Sequence, residues 1–146
     1  MQSMEDVKHE MKVIICIDDN GGMLFNSRRQ SRDRVLIADI MNGLGDKRIY
    51  ISSFSRLLFE GYEGRYIIKD DVPNGLCRDD VCFIENVDIK PYVNEIDSVT
   101  LYRWNRVYPR DLSFDTRILA NGFTMRETCD FEGYSHEKIT KEVFER

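Results

Sequence analysis

A chain of 146 residues, 42% hydrophobic and 32% charged, has the size and make-up of one soluble globular domain that buries roughly two thirds of its unfolded-chain surface. No apolar run approaches the roughly 20 residues a membrane helix needs, so a membrane partner is excluded and a cytoplasmic protein is expected. A net charge of −5 argues against broad, sequence-independent nucleic-acid binding, which relies on neutralising phosphates, but leaves room for a local basic site.

Residues 1–11 are polar and acidic, unlike a signal peptide, and read as a flexible extension or cloning remnant ahead of a single domain at 12–146, with Met11 a plausible native start. Val13-Ile14-Ile15-Cys16-Ile17 is short, unbroken and β-branched, which predicts a strand buried on both faces. A helix follows, capped by Ser31 with Asp33 in its first turn, presenting Leu36, Ile37, Ile40, Met41 and Leu44 on one face and stopped by Gly43 and Gly45. Strands at 48–51, 65–68 and 81–84 come next, with a short helix from the Ser52-Ser53-Phe54-Ser55 cap through Phe59. Asp88 is placed to cap a helix showing Ile89, Tyr92, Val93 and Ile96, and the alternation from Ser98 to Trp104 predicts a fifth strand. Segments 122–130 and 135–144 flank Glu132-Gly133 as an antiparallel hairpin, although 135–142 also suits a capped helix.

The four cysteines, Cys16, Cys77, Cys82 and Cys129, are scattered and read as reduced thiols. Cys77 and Cys82 with Cys129 and His136 lack the paired C-x2-C spacing of a zinc site, and no metal is expected.

The functional lead is the stretch 18–34 that leaves the first strand, where flexible backbone and exposed hydrophobes meet Arg28, Arg29, Arg32 and Arg34. Open α/β sheets bind ligands at the carboxyl ends of their strands, and arginine suits planar anions. No set of residues specifies a reaction.

The order of elements resembles dihydrofolate reductase. Three landmarks carry the resemblance: Val13-Ile14-Ile15-Cys16-Ile17-Asp18 before a Gly-containing loop, Cys82-Phe83-Ile84 before a helix and Asp97-Ser98-Val99-Thr100-Leu101-Tyr102, and Asp115 ahead of a hairpin over 123–146. It implies an α/β fold, a three-layer mixed sheet with flanking helices and a C-terminal β-hairpin. The functional motifs differ. Ser27-Arg28-Arg29 stands in place of the family's Leu-Pro-Trp, and only Asp33 can answer its pterin-holding acid. Ser52-Ser53-Phe54-Ser55 replaces the Gly-Arg-x-Thr turn, and Glu85-Asn86 replaces the Gly-Gly turn, adding a carboxylate and side chains where a pyrophosphate needs bare backbone. No NADPH binding in the reductase manner, and no other cofactor, is expected.

The chain also resembles a small group of proteins from anaerobic gram-positive bacteria that often carry the name ribonuclease Z. Gly22-Met23-Leu24-Phe25-Asn26, Arg28-Arg29-Gln30-Ser31-Arg32-Asp33, Trp104-Asn105-Arg106 with Tyr108-Pro109, and the segment 135–142 carry this likeness. Such nucleases hold two zinc ions with a His-x-His-x-Asp-His cluster, which His9 and His136 alone do not supply.

If the resemblance holds, Phe25, Arg28, Arg29, Arg32, Arg103, Trp104, Arg106 and Tyr108 converge on one cleft. Guanidinium forks and aromatic faces suit a nucleotide-like anion or a short RNA element. The same residues also suit a solvated basic helix start with Trp104 packed in the sheet. Asp18, Asp19 and Asp33 read first as turn formers and dipole partners, Ser52, Ser53 and Ser55 as helix caps, and His136 as an exposed hairpin residue. The expectation is a binding protein without reductase motifs. An enzyme, either a diverged NADPH-dependent reductase or an RNA-cleaving protein using His136 and a carboxylate, is the other reading.

Overall fold

The structure, a computed structural model, describes residues 11–146. Apart from Met11, the predicted N-terminal extension lies outside the described residues. Strand β1 (Met11–Ile17) is the centre of a seven-stranded sheet and alternates its side chains between two layers. Val13, Ile15 and Ile17 pack into one buried cluster and Ile14 into the other, so a run without polar breaks is satisfied on both faces.

Strand β2 (Gly22–Phe25) and β3 (Arg28–Arg29) follow, then α1 (Arg34–Leu44), the single α-helix among the described residues. Next come β4 (Ile49–Ile51), β5 (Tyr66–Ile68), β6 (Val81–Ile84), β7 (Ile96–Arg103), β8 (Leu112–Ser113), β9 (Thr124–Phe131) and β10 (Ile139–Glu145). The main sheet has the order β5-β4-β6-β1-β7-β10-β9, and β3-β2-β8 form a small second sheet. Strands β6 and β7 pair parallel to β1 on its two sides, while β10 runs antiparallel to both β7 and β9. The predicted hairpin is therefore present, and segment 139–145 is strand rather than helix.

Helix α1 covers one face of the sheet with Leu36, Ile37, Ile40 and Met41, and Tyr102 Oη ties β7 to it by donating to Asp39 Oδ2 at 2.6 Å. The opposite face is covered by the segments around Val72, Ile89, Phe114, Leu119 and Phe123.

Several local expectations change. The cap of α1 is Asp33, whose extended backbone (φ −157°, ψ 123°) lets its carboxylate accept the Val35 N–H, whereas Ser31 lies outside the helix. Gly43 sits within the last turn, and Gly45, at φ 61°, ends the helix. The predicted helices at 52–59 and 88–96 are 3₁₀ segments, Ser53–Phe59 and Lys90–Glu95, and Ile96 already opens β7. Ser52 stands at the first of these without a side-chain cap bond. The loop after β1 contains a hairpin: Asn26 and Ser27, both with φ near +55° (52° and 60°), turn β2 into β3.

Candidate functional site

The loop leaving β1 is organised by Asp18, which is buried. Its Oδ1 accepts the N–H groups of Asn20 (2.9 Å) and Gly22 (2.8 Å), and its Oδ2 accepts the Tyr108 N–H (2.9 Å) and the Gln30 amide (3.3 Å). Burial pushes the carboxyl up, but the bonds from Tyr108, Gly22, Asn20 and Gln30 outweigh it and hold the group below its ordinary value. Its lone pairs are used in fixing this loop against the one after β7, the turn-forming role expected of it.

The eight predicted ligand residues separate. Arg29, Arg32 and Trp104 line a narrow inner cavity of about 20 Å³ at the carboxyl ends of β1, β6 and β7. Phe25, Arg28, Arg29 and Tyr108 line a shallower pocket beside the β2–β3 hairpin. Arg103 instead pairs across the sheet with Glu142 (Nε–Oε1 2.7 Å) because its place on β7 faces β10. Arg106 is exposed in the loop beyond β7, where its carbonyl accepts the Asp19 N–H and its side chain has no hydrogen-bond or ion-pair partner among the described residues.

Arg29 is committed to the protein. Its Nε and one terminal nitrogen donate to the Glu85 carboxylate (2.9 and 3.0 Å), the same nitrogen reaches the Phe54 carbonyl (2.8 Å), and its guanidinium carbon lies 4.9 Å from the Phe54 ring centre. Ser55 Oγ donates to Glu85 at 2.6 Å. Glu85 at the end of β6 therefore holds the 53–59 segment and β3 together. Arg32 makes no ion pair among the described residues and is exposed at the mouth of the inner cavity.

His136 is the main correction. Expected on the surface of the hairpin, it is buried, with its ring stacked on Trp104 at 4.6 Å between centroids. Asp33 causes this. Beyond capping α1, Asp33 accepts the backbone N–H groups of Tyr134 (2.8 Å) and Ser135 (2.9 Å), and its Oδ2 lies 2.8 Å from His136 Nδ1. Burial raises this carboxyl, but the bonds from Tyr134, His136, Ser135 and Val35 overcome it and hold the group far below the usual carboxylate range. Asp33 is thus an acceptor at any ordinary pH, so Nδ1 carries a hydrogen. In the neutral ring, Nε2 is the bare nitrogen, 2.9 Å from Ser31 Oγ and 3.4 Å from Tyr108 Oη. Ser31 and Asp33 both reach one imidazole from opposite sides. No local pattern marks this pairing, because the partners lie 103 and 105 residues apart.

The wrap of the hairpin loop onto Asp33 depends on Gly133, where a Cβ would stand 2.6 Å from Asp33 Oδ2 and 2.8 Å from Ile139 Cδ1. Gly133→Ala is expected to lower stability by about 1–3 kcal/mol through overpacking in chemical denaturation, and to expose the imidazole. An unchanged denaturation midpoint would show that the loop yields.

Ser31 lies where two spaces meet. The inner cavity is walled by Cys16, Leu36, Ile37, Leu58, Phe83 and Trp104, and a wider open cleft continues past Ser31, Arg32 and Asp33 to Leu57, Tyr134 and Arg34. Arg34 stacks its guanidinium 3.7 Å from the Tyr134 ring centre and forms one wall of the cleft. Gln30, on the inner cavity, has its Oε1 buried without a hydrogen-bond partner among the described residues. Cys16 also lines the cavity, but burial, with the Glu85 carboxylate adding, pushes its thiol well up, so it is no thiolate nucleophile.

No protein-family model matches the sequence, and no curated protein matches it. Among solved structures, the chain is similar to a dihydrofolate reductase from Enterococcus faecalis complexed with NADP(H) and RAB-propyl. The TM-score is 0.63 at 11% identity, over 96% of this chain and 98% of that one. The chain has a dihydrofolate-reductase-like fold.

Proposed function

We propose that the protein binds a small nucleotide-like anion in the outer cleft, with its charged end beside Arg32. The observation that carries this reading is the pairing of an open cleft, walled by Ile37, Leu57, Leu58 and Tyr134, with the Arg32 guanidinium, which makes no ion pair among the described residues. Apolar walls with a few convergent polar groups are the usual make-up of a ligand site. Arg29 and Arg103 contribute little charge to a ligand, since Glu85 and Glu142 neutralise them. That favours a single small anion over a length of RNA.

A thermal-shift panel of nucleoside mono-, di- and triphosphates, with a short RNA alongside, tests the reading. A ligand at 100 times its dissociation constant stabilises the fold by about 2.7 kcal/mol, or roughly 5–10 °C in a domain of this size. Arg32→Ala is expected to abolish most of that shift while leaving the melting temperature of the free protein unchanged. No shift with any nucleotide, or an equal shift in Arg32→Ala, would overturn the assignment, and a shift with RNA alone would replace it.

A further inference from the structure

The contacts of His136 carry a second reading that stands whether or not a nucleotide binds. We infer that Ser31 is a nucleophile, with His136 as its general base and Asp33 as the residue that orients the imidazole, and that the site hydrolyses small carboxylic esters. Three features meet here. Ser31 Oγ is 2.9 Å from Nε2, and Nδ1 is 2.8 Å from a carboxylate that stays ionised, which fixes the tautomer a base requires. The imidazole is buried and held flat against Trp104, so its direction is set before any substrate arrives. Ser31 itself is only half-buried and opens on both the inner cavity and the outer cleft.

The chemistry balances with water as the only co-reactant. Ser31 Oγ attacks the ester carbonyl carbon while its proton passes to His136 Nε2. The tetrahedral intermediate collapses by breaking the bond to the alcohol oxygen, which takes the proton from Nε2 and leaves an acyl-Ser31. Water then attacks the acyl carbon, gives a proton to Nε2, and the acid departs as Ser31 Oγ recovers that proton. The buried Asp33 carboxylate beside the site opposes a doubly charged phosphoryl group at the reacting position and tolerates a neutral carbonyl. Arg32 beside the nucleophile favours esters whose remote end is anionic.

A fluorophosphonate probe, read by peptide mass spectrometry on the full chain, tests the assignment without any nucleotide. Ser31 is expected to label first, ahead of the exposed Ser27 and Ser113 in the same molecules, and Ser31→Ala is expected to remove both the label and the hydrolysis of p-nitrophenyl acetate. His136→Gln, checked for native circular dichroism, is expected to label about 100-fold more slowly, as loss of a general base requires. Asp33→Asn, compared at matched folded fraction, is expected to slow labelling as well, which loss of a merely structural carboxylate would not do. Ser31 labelling no faster than Ser27 and Ser113, a comparison that needs no variant to fold, would overturn the proposal. So would an unchanged rate in folded His136→Gln. Labelling in a protein that shows no nucleotide shift would leave the esterase standing and remove only the ligand reading.

Discussion

Asp33→Ala is expected to cost about 3–5 kcal/mol in urea unfolding, a large share of the 5–15 kcal/mol that holds a domain of this kind. The carboxylate is fully buried and serves three pieces of chain at once: the first turn of α1 through Val35, the hairpin loop through Tyr134 and Ser135, and the His136 ring. Its removal leaves the buried imidazole N–H without an acceptor, at a cost on the order of 1–3 kcal/mol, and frees the part-buried Val35, Tyr134 and Ser135 N–H groups at a smaller cost, since water reaches them. The same contacts make stability depend on pH. Because the folded group ionises far more readily than the unfolded one, its contribution is complete above the unfolded carboxylate value of about 4 and drains away as pH falls below it toward the folded value. Unfolding free energy measured from pH 6 down to pH 3 is therefore expected to drop steeply in the parent and less steeply in Asp33→Asn. Asp18, lowered for similar reasons, supplies part of the remaining slope. An equal slope in parent and variant would show that Asp33 is not the linked group.

The part of the fold carried by local pattern was legible. Val13 to Ile17, the stripe from Leu36 to Met41 and the strands at 49–51, 66–68 and 81–84 stand where period and composition put them, because burial on a sheet face or helix stripe selects those residues directly. The β2–β3–β8 sheet was not legible: its strands are two to four residues long and are held by a single pair of left-handed residues and a partner near position 112. The arginines were visible as a cluster in sequence, but which keep their charge for a ligand depends on distant acids. Glu85 claims Arg29 and Glu142 claims Arg103, neither pairing having a sequence signal. His136 was misplaced for the same reason. A histidine in a polar hairpin segment reads as exposed until the loop is seen to close on a helix cap a hundred residues earlier.

Glu85 gives the second large expected effect. Its carboxylate, with 8% of the side chain exposed, accepts two bonds from Arg29 and one from Ser55. Glu85→Leu alone strands the half-buried Arg29 guanidinium and the Ser55 hydroxyl, an uncompensated charge that costs about 3 kcal/mol or more. Arg29→Met alone leaves the buried carboxylate with only the Ser55 hydroxyl and is expected to cost a similar amount. The pair is different. With Glu85→Leu and Arg29→Met together, no charge is left buried, and apolar replacements of similar length fill the gap between β6, β3 and the 53–59 segment. The double variant is expected to lie within about 1 kcal/mol of the parent, so a double-mutant cycle returns a coupling of several kcal/mol. It would also remove the carboxylate that the sequence resemblance sets against the reductases' Gly-Gly turn. Yet Asn86 still carries a side chain where that turn has bare backbone. NADPH titration into the double variant is therefore expected to give no binding, and binding would show that the Glu85 charge alone had kept the cofactor out.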